Sequence, residues 1–240
     1  AFIVTQTQCE VCAVSEDDLA QALGTWLGAQ PNVVSLRASD LAGVWEDIIR
    51  VGAAVSAGAQ ARSLVGRLSE QFEAIRHRGA LISRRPTVVG LEWVEPLMSS
   101  GNWIPELIDA AGGQSLLAAS GAHSAFITWE QLRDANPDIV LISPCGFELE
   151  RAAQSVSALA ESPLWHELQA VQNRHVYAFD GHHFLHRPGP RLVDSAAVLA
   201  QLFDDWAGSN QAATWAAPLE SRADVTHIAA RRLQLSDTRL

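Results

Sequence analysis

Short apolar runs rich in β-branched residues alternate with helical patterns along most of the chain, and this order constrains the fold more than any other feature. After the break at Arg84-Arg85-Pro86, strand-like runs occur at Thr87 to Trp93, Asp138 to Ser143 and His175 to Phe179. Helical spacing is read at Ile104 to Ala111, closed by Gly112-Gly113, and at Trp129 to Ala135, Glu148 to Leu159, Leu164 to Val171 and Leu192 to Trp206. Strands that each lead into a helix pair in parallel, because a parallel neighbour needs a long crossover, and the resulting sheet is covered on both faces. The predicted class is α/β.

An earlier segment repeats the logic on a smaller scale. Phe2 to Thr5 and Val33 to Leu36 flank a helical stretch that Ser15 would cap, with Glu16, Asp17 and Asp18 in its first turn. A helix then follows Ser39-Asp40, with Leu41, Trp45, Ile48, Gly52 and Val55 on one face. A second runs from Gln60 to Arg78 and puts Leu64, Leu68, Phe72 and Ile75 on one stripe. About twenty residues at 1.5 Å each span roughly 30 Å, enough to bridge two lobes. The expected division is a partial first lobe with its linking helix at 1–57, a connecting helix at 58–80, a second lobe at 86–208 and an irregular tail at 209–240.

Composition narrows the partners. An apolar share of 48% in 240 residues is enough for real cores, and no uncharged apolar run reaches the length of about 18 needed to cross a bilayer. A net charge of −10 opposes nonspecific attraction to nucleic acid or anionic lipid. The N-terminus reads as a strand already under way and lacks the pattern of a signal peptide.

Ligands of open parallel sheets collect at the carboxyl ends of the strands, and that rule selects three loops. The first is Glu92-Trp93-Val94-Glu95-Pro96 running on to Asn102-Trp103. The second is Pro144-Cys145-Gly146-Phe147, and the third runs from Asp180 through His182, His183, Phe184, His186, Arg187 and Pro188 to Pro190. Aromatics and prolines on rigid loops make a flat apolar wall that suits a planar macrocycle. Trp93 and Trp103 suit the core equally well, Phe147 suits a plug between sheet and helix, and the prolines suit a turn into the last helix. His182, His183 and His186 read as solvated surface or as metal ligands, with His182 or His183 as an axial ligand to a bound metal centre. Cys9-Glu10-Val11-Cys12 has the spacing of a redox pair or half a zinc site, and only Cys145 and the nearby histidines could complete such a site. No nucleophile elbow, phosphate loop or dinucleotide fingerprint occurs, so no catalysis and no catalytic cofactor are expected.

Three segments carry a resemblance: Thr5-Gln6-Thr7-Gln8-Cys9-Glu10-Val11-Cys12-Ala13-Val14-Ser15, Pro137 to Phe147, and Arg187-Pro188-Gly189-Pro190-Arg191-Leu192-Val193. Together they resemble the cobalamin-binding branch of the helical-backbone (class III) substrate-binding proteins of ABC importers. The resemblance implies two Rossmann-like lobes with parallel sheets joined by a long backbone helix, and an extracytoplasmic location. Its ligand would be cobalamin or a related corrinoid, handed to an ABC importer permease. It also implies that Gln6 and Gln8 face the ligand from the first lobe. Glu92, Trp93, Trp103, Cys145, Gly146, Phe147, His182, His183, Phe184, Arg187 and Pro188 would face it from the second. The first lobe is shorter than the family's usual one and reads as incomplete, which would favour pairing with a second copy. The same architecture also suits a haem or ferric-siderophore receptor, although Arg187 is the one obvious cation at the site. A thiol- or zinc-dependent enzyme is the alternative from another class.

Overall fold

The computed structural model describes residues 2–6, 32–208 and 230–232. The chain divides into two compact units, 1–70 and 71–240. In the first, β1 (Phe2–Gln6) pairs in parallel with β2 (Asn32–Leu36), from Phe2 opposite Asn32 to Gln6 opposite Leu36. α1 (Leu41–Ala54) starts at Asp40, whose carboxylate accepts from the Gly43 amide at 2.7 Å. It buries Leu41 and Val44 together with Asp47. The Asp47 carboxylate accepts the Arg37 and Ala38 amides at 2.9 and 3.0 Å and pairs with Arg50, so its charge is satisfied in place. The capping stretch expected from Ser15 and the Cys9 to Cys12 motif lie outside the described residues.

α2 (Gly58–Gly79) passes through the boundary between the units. Ala61, Leu68, Phe72 and Ile75 are its buried apolar side chains, a stripe at helical spacing as the sequence predicts, while Leu64 is only partly covered. It ends where only glycine fits: a Cβ on Gly79 would lie 2.2 Å from the Ala110 carbonyl oxygen.

The second unit is built on one sheet. β3 (Thr87–Val94), β6 (Ile139–Ile142) and β7 (Val176–Phe179) run in parallel. On the far edge of β3 lie β4 (Leu97–Ser99), antiparallel through a turn at Glu95-Pro96, and the two-residue β5 (Gln114–Ser115). β8 (Ala230–Arg232) pairs antiparallel with β7. The part of the tail expected to be irregular therefore includes an edge strand, too short to leave a periodic signal.

Six helices connect and follow these strands: α3 (Ile104–Ala110), α4 (Trp129–Ala135), α5 (Leu149–Gln154), α6 (Val156–Leu159), α7 (Pro163–Glu167) and α8 (Gln169–Gln172). A π-helical turn (Gly181–Leu185) and α9 (Leu192–Trp206) complete the unit. Strand residues alternate between two cores. Val89, Leu91, Val140, Ile142, Val176 and Ala178 join Leu132, Ala152, Leu159, Trp165 and Leu168 from α4 to α8 in one cluster. Ile139, Leu141 and Phe179 point the other way and are equally buried, so the sheet is covered on both faces. α3 and α9, which pack on each other, contribute nothing to the first cluster.

Two helices expected to be continuous are broken. Between α5 and α6 the Ser155 hydroxyl donates to the Ala152 carbonyl at 2.6 Å, competing with the backbone ladder. Between α7 and α8, Leu168 is extended at φ −65° and ψ 130°.

Candidate ligand-binding site

The three loops chosen from the sequence meet at the carboxyl ends of β3, β6 and β7, stitched by backbone hydrogen bonds. Beyond β6 the Ser143 amide donates to the Leu91 carbonyl at 3.0 Å and the Cys145 amide to the Glu92 carbonyl at 3.2 Å. The Phe147 carbonyl accepts from both the Gly181 and His182 amides at 3.0 Å. The π-turn crosses the second loop so closely that a Cβ on Gly181 would lie 2.4 Å from the Pro144 carbonyl oxygen. Any side chain there would push the two loops apart.

The turn is started by Asp180, which is 3% exposed. One carboxylate oxygen accepts the His183 amide at 2.6 Å and the other lies 3.1 Å from His183 Nδ1. A carboxylate only accepts, so Nδ1 carries a proton and, in the neutral ring, Nε2 bears the lone pair. His182, beside it with the rings 4.4 Å apart, is held in the opposite sense. Arg187 donates to the His182 carbonyl at 2.8 Å and places Nη2 3.3 Å from His182 Nδ1. A guanidinium only donates, so His182 Nδ1 accepts and its proton sits on Nε2. Of the two rings, His183 is the one poised to ligate.

His182, His183, Arg187, Pro188, Gly189, Pro190 and Arg191 line an open pocket of about 350 Å³. Arg191 is a second cation at this site, beyond the single Arg187 expected from the sequence. To one side, Trp93 presents its ring edge-on to Phe147 at 5.3 Å and remains 37% exposed. Phe147 packs against the core cluster and carries the Arg151 guanidinium 3.7 Å above its ring.

Behind this rim lies a second group. Ligand atoms of Glu92, Cys145 and His186 all fall within 4.8 Å of one another. His186 Nε2 is 2.6 Å from the Ser143 carbonyl oxygen, its Nδ1 is 3.6 Å from Glu92 Oε2, and the Ser124 hydroxyl donates to that oxygen at 2.5 Å. Burial pushes the His186 pKa down, against an opposing pull from Glu92. Burial, and then the Glu92 charge, push the Cys145 thiol up.

Not every residue selected from the sequence reaches this surface. Trp103 is 3% exposed, and its indole donates to the Leu185 carbonyl at 2.8 Å, so it holds the π-turn from within the core. Phe184 is buried with its ring edge-on to Phe179. Gln6 ends β1 in the first unit, with its Oε1 buried and without a partner among the described residues. Gln8, Cys9 and Cys12 lie outside the described residues. Asp180 and Ser124 hold side chains of this surface in place, and the sequence reading assigns neither of them to the site. Asp180 leaves a local signal, an acidic residue three positions before His183, whereas Ser124 reaches Glu92 across 32 residues and leaves none.

A parallel sheet with aromatic, proline and histidine-bearing loops at its strand ends is the architecture of a solute-binding α/β protein. The pattern of the family described as Periplasmic binding protein matches residues 13–182, and the chain belongs to that family. Its members bind solutes and are not enzymes, which sets aside the thiol- or zinc-dependent enzyme.

The chain is similar to the high-affinity heme uptake system protein IsdE of Staphylococcus aureus (strain MRSA252), with 26% identity over 167 residues. The match covers 68% of this chain and 56% of that relative, so the chain spans little more than half the relative's length. In fold it matches the periplasmic heme-binding protein RhuT from Roseiflexus sp. RS-1 in apo form, with a TM-score of 0.68, 20% identity and coverage of 86% and 76% of the two chains. It also matches S. aureus IsdE complexed with heme, with a TM-score of 0.64, 23% identity and coverage of 78% and 73%. No helix among the described residues is long and apolar enough to cross a membrane.

Proposed function

We propose that this chain is the solute-binding component of an ABC importer that works outside the cytoplasm and captures haem, with His183 as the iron ligand. The observation that carries this reading is His183 Nδ1 lying 3.1 Å from the buried Asp180 carboxylate, which in the neutral ring leaves Nε2 as the nitrogen for a metal. Metal-bound histidines characteristically give their other N–H to such a carboxylate, which orients the ring and raises its basicity. Arg187 and Arg191 at the pocket suit the anionic carboxylates of a porphyrin edge. Trp93 and Phe147 supply flat apolar surface nearby. The relatives named above are heme proteins, which favours haem over the cobalamin suggested by the sequence resemblance. Cobalamin also brings an axial base of its own, which leaves less for a protein imidazole to do. In this reading residues 58–80 serve as the connecting helix between lobes at 1–57 and 86–208.

Parallel titrations of the purified chain with hemin and with cyanocobalamin test it. Saturable one-to-one binding of hemin with a shifted Soret band, and no comparable response to cyanocobalamin, is the expected result. Tight cyanocobalamin binding with hemin silent would overturn it.

A further inference from the structure

We propose that Glu92, Cys145 and His186 form a binding site for one divalent cation of the zinc type, held by a carboxylate oxygen, a thiolate sulfur and imidazole Nδ1, with a fourth position left open. The proposal does not depend on the haem reading and concerns different side chains.

The hydrogen bonds around His186 fix where its protons sit. The Ser143 carbonyl only accepts, so the His186 Nε2 that lies 2.6 Å from it carries a proton. In the neutral ring Nδ1 then bears the lone pair, and it faces Glu92 Oε2 at 3.6 Å. Two electron-rich atoms therefore confront each other in a place where the His186 side chain is only 6% exposed and that of Glu92 only 16%. Something positive belongs between them, either a proton on the ring or a cation. The distance suits the cation, because tetrahedral zinc bonds of about 2.0–2.3 Å put neighbouring ligand atoms roughly 3.3–3.7 Å apart.

The surroundings are those of a supported metal site. His186 gives its other N–H to a backbone carbonyl, and Glu92 accepts the Ser124 hydroxyl at 2.5 Å, so two of the three ligands are already oriented by outer partners. Cys145 completes the set, with its ligand atom within 4.8 Å of the other two. Cys145 is an exposed residue whose thiol is partly buried, which leaves the ion a way in. On binding, the cation takes the sulfur lone pair and the thiol proton passes to solvent, one proton per ion. The ligands come from three loops separated by 53 and 41 residues, so no motif spacing announces them in the sequence.

Cobalt(II) is the probe, added to chelator-stripped, reduced full-length chain. The expected result is one equivalent bound, a near-ultraviolet thiolate-to-cobalt charge-transfer band, release of one proton and displacement of the cobalt by zinc. Loss of an outer partner costs metal sites about 10–100-fold in affinity, and loss of a ligand is expected to cost at least as much. Cys145→Ser should therefore abolish the band, and Glu92→Gln should weaken binding by at least about tenfold. The Cys9→Ser/Cys12→Ser and His182→Ala/His183→Ala double variants should retain the band. Circular dichroism of Cys145→Ser, a change at an exposed position, should match that of the wild type. No band in the wild-type chain, a band that survives Cys145→Ser, or a band lost in the Cys9→Ser/Cys12→Ser variant would overturn the proposal.

Discussion

The outer rim of the strand-end face and the cluster behind it draw their histidines from one short loop, yet the two groups are prepared for different chemistry. At the rim, His183 is 44% exposed and leans on a buried carboxylate, which leaves Nε2 for a ligand arriving from solvent. Behind it, His186 is nearly enclosed and leans on a backbone carbonyl, which leaves Nδ1 for the interior. Two residues of chain separate them, and the partner of one nitrogen decides the use of the other.

That contrast can be broken at its strongest point first. His183→Ala should weaken hemin binding about 100-fold, or roughly 2.8 kcal/mol at 1.4 kcal/mol per tenfold, measured by equilibrium titration. The same change should leave cobalt binding at the inner cluster untouched. Gly181→Ala should disturb both regions together, because its Cβ would press on the Pro144 carbonyl. A destabilisation of about 1–3 kcal/mol, read as a lower Tm in calorimetry, is expected from overpacking of this kind. Asp180→Asn keeps an acceptor for the His183 amide but loses the carboxylate that fixes the ring. Hemin affinity should fall by about tenfold, the lower end of the range for an outer-partner loss. Arg187→Ala should have the smallest effect, no more than about fivefold, because an exposed ion pair is worth roughly 0.2–1 kcal/mol. That effect should shrink as salt is added. A greater loss from Arg187→Ala than from His183→Ala would show that electrostatics, not iron ligation, governs the rim.

Much of this was legible in the sequence, and the reasons differ by residue. The parallel sheet could be read because β3, β6 and β7 are apolar runs joined through helices, and the long α2 because Leu68, Phe72 and Ile75 keep one helical stripe. The three site loops followed from the strand-end rule alone. Whether an aromatic faces solvent or core was not legible, because Trp93 near the end of β3 and Trp103 just before α3 are ten positions apart and have opposite fates. Trp103 caps the inside of the π-turn through Leu185, a contact 82 residues away in sequence. The inner cluster was legible only in part: the sequence could pair Cys145 with the nearby histidines, but only the fold sets Glu92 and Ser124 beside them. The breaks at Ser155 and Leu168 were missed because helical periodicity continues across them, while the interruption lies in one hydroxyl and one backbone angle.

The most direct test of the central claim is electron paramagnetic resonance of the ferric haem complex, recorded for the wild-type chain and for His183→Ala. The account predicts a signal of imidazole-ligated iron in the wild type that is lost in the variant. Identical spectra from the two would contradict it, because His183 would then not be the ligand.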